Sequence, residues 1–145
     1  MTFRVLAGLV LLLIAFALQF SLATANVYLD LSFAALITFA FVFGFWELVF
    51  FVLAAVFVIN WQPAVSVEIL AFALFPFVVY FLRDKFPSQP WFENFVAILL
   101  GFVVLSLVAA PAAFLSSLRI FFVDLMGGWL FGTGVFFLLQ NSSQK

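Results

Sequence analysis

The sequence contains no cysteine and no histidine. Without cysteine there is no disulfide, thiolate nucleophile or iron–sulfur cluster. Without histidine, haem and zinc sites built on imidazole are excluded, as are Ser-His and Cys-His catalytic pairs. Charge is scarce as well. Only 8% of the 145 residues are charged, against roughly 25% in soluble domains. The formal net charge of −1 offers no basic footprint for nucleic acid. What is present is apolar: 69% of the chain, with 25 phenylalanines. A soluble fold would need a polar outer shell that this composition lacks. The chain therefore reads as an integral membrane protein. The phenylalanines read as lipid-facing and interhelical filler, with the lipid bilayer as the first partner.

Apolar segments divide the chain into about six transmembrane helices: 5–25, 28–44, 46–62, 65–82, 91–114 and 116–140. The expected fold class is an all-α polytopic bundle, with residues 1–145 forming one transmembrane domain. The first segment follows Arg4 and ends in Ala23-Thr24-Ala25, which also fits a signal peptide with a small-residue cleavage site. Its length suits a bilayer core of about 20 residues, and an uncleaved first helix is the preferred reading. Pro76 falls inside the fourth segment, where it removes one backbone hydrogen bond. The stretch "RDKFPSQP", 83–90, is the one strongly hydrophilic loop.

Region 28–62 is the ambiguous one. A single helix there would run about 50 Å, far beyond a hydrocarbon core of about 30 Å. It would also hold Glu47 near the bilayer centre, at a cost of a few kcal/mol. Two short spanning helices avoid both problems, with a re-entrant hairpin as the rival arrangement. "FGFWE", 43–47, then forms a tight turn, with Gly44 as the flexible residue and Trp46 at interfacial depth. Charge supports that division. With six helices and both termini cytoplasmic, Arg4, Arg83, Lys85 and Lys145 lie inside and only Arg119 lies outside, as the positive-inside rule favours.

Five polar residues are candidate contacts for a partner or ligand. Asp124 sits within the last segment, where a carboxylate is costly unless paired or wetted. Arg119 is five residues earlier, rotated by about 140° at about 100° per residue. The two do not share a helix face, so Asp124 is expected to meet a polar group on another helix. Gln19 offers an interhelical hydrogen bond near the outer end of the first helix. Asp30 and Glu68 open helices from the outside, where helix capping accounts for both. Four small residues are candidate packing positions: Gly128 and Gly132 in "GGWLFGTG", and Ala97 and Gly101 one helix earlier. Small residues four apart let helices approach closely. No Gly-Lys-Ser/Thr or His-Glu-x-x-His motif occurs. Only Asp124 lies at depth, whereas an intramembrane aspartyl protease needs two facing carboxylates. The residues point to no enzyme and no cofactor.

The order of features resembles the MreD family of bacterial rod shape-determining membrane proteins. The resemblance rests on Leu18-Gln19 late in the first helix and on "YLDL", 28–31, opening the second. A tight hairpin follows, then a fourth helix ending in "YFLRDKF", 80–86. It spans most of the chain. It implies a six-helix scaffold in the bacterial cytoplasmic membrane that binds other membrane subunits of the cell-wall elongation machinery. The competing reading is the substrate-binding subunit of an energy-coupling-type vitamin transporter. That reading needs a small-molecule pocket near the outer surface, where Asp30, Glu68, Arg119 and Asp124 are expected.

Overall fold

The computed structural model describes residues 3–25, 27, 29–59, 66–85, 89–109, 111 and 117–142. Six helices account for almost all of them: α1 (Phe3–Thr24), α2 (Leu31–Val42), α3 (Phe45–Ile59), α4 (Val67–Leu82), α5 (Pro90–Ala109) and α6 (Leu118–Ser142). A short 3-10 turn, Arg83–Lys85, follows α4. No strand occurs among the described residues. Three helices are long and apolar enough to cross a bilayer: Phe3–Thr24, Pro90–Ala109 and Leu118–Asn141. That supports a membrane protein. The other three have 12, 15 and 16 residues. At 1.5 Å per residue they are roughly 18–24 Å long, short of a core of about 30 Å.

Several helix ends differ from the sequence expectation. The second helix was expected over 28–44, but it starts at Leu31 and stops at Val42. Asp30 has φ −86° and ψ 59°, outside the helical region, and Phe43 is extended. The fifth helix is described over Pro90–Ala109; of the residues expected to continue it, Pro111 is helical, and 110 and 112–114 lie outside the described set. So does 60–62 at the end of α3. Local chemistry explains other boundaries. Pro90 takes the first helical position of α5, where a missing N–H costs nothing. The Ser66 hydroxyl accepts the Ile69 N–H at 3.3 Å and caps α4.

The turn at "FGFWE" separates two helices. Gly44 precedes α3, and its N–H donates to Glu47 Oε2 at 3.0 Å. Glutamate three residues into a helix, reaching back to the cap amide, is half of a capping box. Trp46 beside it is 80% exposed.

Helix α2 is the axis of the molecule. Every residue from Leu31 to Ala40 is buried. The other five helices close a ring around it in the order α1, α3, α4, α5, α6 and back to α1. A helix that is apolar on all sides is one that neighbours surround. Aromatic rings fasten it to the ring. Phe33 meets Phe72, Phe75 and Phe102 at centroid distances of 5.2, 5.9 and 5.8 Å. Phe39 and Phe43 pack on Phe51 of α3 at 4.7 and 4.9 Å. Part of the phenylalanine excess is therefore core.

Candidate functional site

A helix leaves its first N–H groups and last carbonyls without internal partners. Water satisfies those groups at a surface. A short helix enclosed by five others needs side chains to do it, because an unpaired backbone group in an apolar interior costs several kcal/mol. Four polar side chains from other parts of the chain, Gln19, Asp124, Arg4 and Arg83, reach the two ends of α2.

At the N-terminal end, Asp124 of α6 accepts the Asp30 backbone N–H through Oδ1 at 2.7 Å. Gln19 of α1 uses Oε1 to accept both the Ser32 N–H at 3.2 Å and the Ser32 hydroxyl at 2.9 Å. Gln19 Nε2 donates to Asp30 Oδ1 over a longer 3.5 Å. Asp30 occupies the cap position, yet its own carboxylate makes no cap bond. The expectation that Asp30 caps its helix is thereby corrected: a glutamine from the neighbouring helix supplies the cap. The carboxylate of Asp124 at this end also complements the positive pole of the helix.

At the C-terminal end the partners are cations. Arg83 Nη1 donates to Ala40 O at 2.6 Å and Phe43 O at 3.1 Å. Arg4 Nη2 donates to Val42 O at 3.1 Å. The Arg83 guanidinium lies over the Tyr80 ring, 4.2 Å from its centroid, and Nε is 3.6 Å from Asp84. Cations at a helix C-terminus are favoured by the dipole, and charged donors make the stronger hydrogen bonds. Carboxylate at one end and guanidinium at the other give α2 a polarity that matches its backbone.

The structure brings together Gln19, Asp30 and Asp124, and leaves Arg119 and Glu68 apart from them. Arg119 is exposed, and no ion pair joins it to Asp124 among the described residues. Glu68 sits in the first turn of α4 and makes no hydrogen bond to the three. The packing candidates also divide. A Cβ on Gly101 would lie 2.6 Å from Ile37 Cδ1 and 2.8 Å from a ring carbon of Phe75. On Gly128 it would meet Phe102 at 2.5 Å, and on Gly132 Ile98 Cδ1 at 2.5 Å and Thr38 Oγ1 at 3.0 Å. All three glycines sit at closed helix–helix contacts. Ala97 is only partly buried, and it lines an open groove between α4 and α5.

Four residues of these contacts were not singled out from sequence: Arg4, Ser32, Thr38 and Arg83. The arginines had been read as orientation signals only. Their second role depends on where the α2 carbonyls lie in space. Thr38 is fully buried, and its hydroxyl is shared between Ala34 O at 3.0 Å and Gly132 O at 3.3 Å. A threonine inside an apolar helix does carry a signal, since its hydroxyl reaches the carbonyl four residues back.

Asp30 joins Asp124 as a second carboxylate at this end. Each is directed at a different donor, and no hydrogen bond joins the two carboxyl groups among the described residues. No group of three or more acids suited to a metal ion occurs among the described residues. The arrangement ties α1, α2 and α6 together. Neither a protein-family model, nor a curated protein, nor a solved structure matches the chain.

Proposed function

We propose that this chain is a non-enzymatic scaffold subunit of a bacterial cell-shape and cell-wall elongation complex, as its resemblance to the MreD family implies. In this reading all six helices cross the cytoplasmic membrane and both termini are cytoplasmic. The short α2 crosses because neighbouring helices enclose it from Leu31 to Ala40, and side chains from α1, α6 and the turn after α4 complete its ends. The arginine end faces the cytoplasm, in keeping with the positive-inside rule. The carrying observation is that Gln19, Asp124, Arg4 and Arg83 all bond to the ends of α2. Polar groups used in this way hold a rigid bundle together. The outer faces of that bundle are left to contact lipid and other membrane subunits.

One observation favours the transporter-subunit reading instead: Gln19, Asp30 and Asp124 gather at the outer end, half-buried. A single experiment separates the two. The purified full chain is heated with a panel of vitamins and their precursors. A ligand at 100 times its dissociation constant adds about 2.7 kcal/mol of stability. The scaffold reading expects no shift, together with co-purification of wall-synthesis proteins from a bacterial membrane. A vitamin-dependent shift that disappears in Asp124→Asn overturns it in favour of the transporter subunit.

A further inference from the structure

The groove between α4 and α5 has a volume of about 370 Å³. Its walls are Phe75 and Val79 of α4, and Val96, Ala97 and Leu100 of α5, with Phe41 of α2 among its lining. It opens sideways: Val78 and Leu100 on its rim are 49% and 52% exposed. Lining residues on α5 run from Phe92 to Val104. At 1.5 Å per residue that is about 18 Å, a little over half of a hydrocarbon core of about 30 Å and so about the depth of one leaflet. Spread over that length, the space is roughly 5 Å across, room for one hydrocarbon chain.

The charged residues of the lining stand together at one end. They are Arg83, after the C-terminus of α4, and Glu93, in the first turn of α5. Arg83 is held in place by the two α2 carbonyls and the Tyr80 ring, and its Nη2 has no hydrogen-bond partner among the described residues. A pre-positioned guanidinium suits a phosphate oxygen. The Glu93 carboxylate at the same end of the groove suits a primary ammonium, which brings N–H donors as well as charge. One cation and one anion at the mouth of a leaflet-deep apolar slot match a zwitterionic headgroup with one chain below it.

We propose that the α4–α5 groove binds an aminophospholipid of the cytoplasmic leaflet, with its phosphate on Arg83, its primary ammonium at Glu93 and one acyl chain lying along Ala97 and Leu100. This rests on the membrane orientation proposed above and not on the scaffold role. The full chain, purified in a mild detergent, is mixed with equimolar phosphatidylethanolamine, phosphatidylglycerol and phosphatidylcholine, and bound lipid is counted by native mass spectrometry. The expected result is one phosphatidylethanolamine per chain, preferred about tenfold over the other two, the factor set by one charge-assisted bond. Ala97→Phe, which fills the slot, removes the adduct. Glu93→Gln, whose side chain is only half-buried, keeps the lipid but brings phosphatidylethanolamine and phosphatidylglycerol to parity. Inorganic phosphate alone leaves the melting temperature unchanged. The proposal is overturned by equal retention of the three lipids on the unaltered chain. A wild-type adduct on Ala97→Phe overturns it too, as does stabilisation by phosphate alone, or a co-purifying protein that Ala97→Phe displaces.

Discussion

The Asp124 carboxylate and the Asp30 amide are 94 residues apart in the chain and 2.7 Å apart in space. That bond closes the N-terminal end of α2 with a side chain from α6. Truncation to Asp124→Ala leaves a half-buried backbone N–H without this partner, at a cost of about 1 kcal/mol. Asp124→Asn retains an acceptor oxygen and is expected to keep most of the stability. Thermal unfolding of both variants in detergent measures the difference. Melting temperatures for both variants equal to that of the unaltered chain would show that the bond carries no stability.

Arg83 closes the other end. Arg83→Gln removes the donor that serves the Ala40 and Phe43 carbonyls and is expected to cost roughly 2–3 kcal/mol. Because the partners are carbonyls in a sheltered position, the loss is expected to be the same at low and high salt, where an exposed ion pair would weaken on screening. Unfolding curves at two ionic strengths check this. A loss that vanishes in salt would assign the effect to Asp84 instead.

Gly132 and Gly134 differ by two positions and give a paired test. Gly132→Ala drives a methyl group towards Ile98 and Thr38, an overpacking that costs about 1–3 kcal/mol. A Cβ added to Gly134 would meet no atom of another helix within 4 Å. Gly134→Ala is therefore expected to be neutral or to stabilise by up to about 1 kcal/mol, through helix propensity. Melting temperatures of the two single variants should move in opposite directions or differ clearly. A matched drop would mean that helix flexibility, not close approach, governs this segment.

The six-span topology has its own measurement. Asp84 and Thr24 are both exposed. Cysteines placed there enter a chain that has none, so labelling reports one site at a time. Asp84→Cys is expected to react with an impermeant maleimide only when the cytoplasmic face is accessible, and Thr24→Cys only from outside. Labelling of both from one face would exclude the proposed arrangement.

Composition by itself determined that this chain is helical and suited to a membrane. With 69% hydrophobic residues and 8% charge, no other use of the chain balances its burial. Local chemistry also marked the division at Gly44, because a turn glycine, an interfacial tryptophan and a glutamate act within five residues of one another. The glycines of "GGWLFGTG" were legible as packing positions by spacing, but which of them is closed was not: Gly132 is enclosed and Gly134 is open.

The tertiary structure alone decided which helix lies at the centre. All six segments are apolar, so hydrophobic pattern could not distinguish a helix facing lipid from one facing protein. Lipid and protein interior are equally apolar solvents for a side chain. The same degeneracy hid the site. Gln19, Asp30 and Asp124 could be named as polar residues in apolar surroundings, but their partners are backbone groups. Arg4 and Arg83 carried the sequence signature of membrane orientation and nothing more. Each became a cap only when folding placed the buried carbonyls of α2 beside it, about 40 residues away in sequence. A backbone group has the same chemistry in every residue, so the sequence cannot mark which ones will need a partner. The enclosure of α2 does.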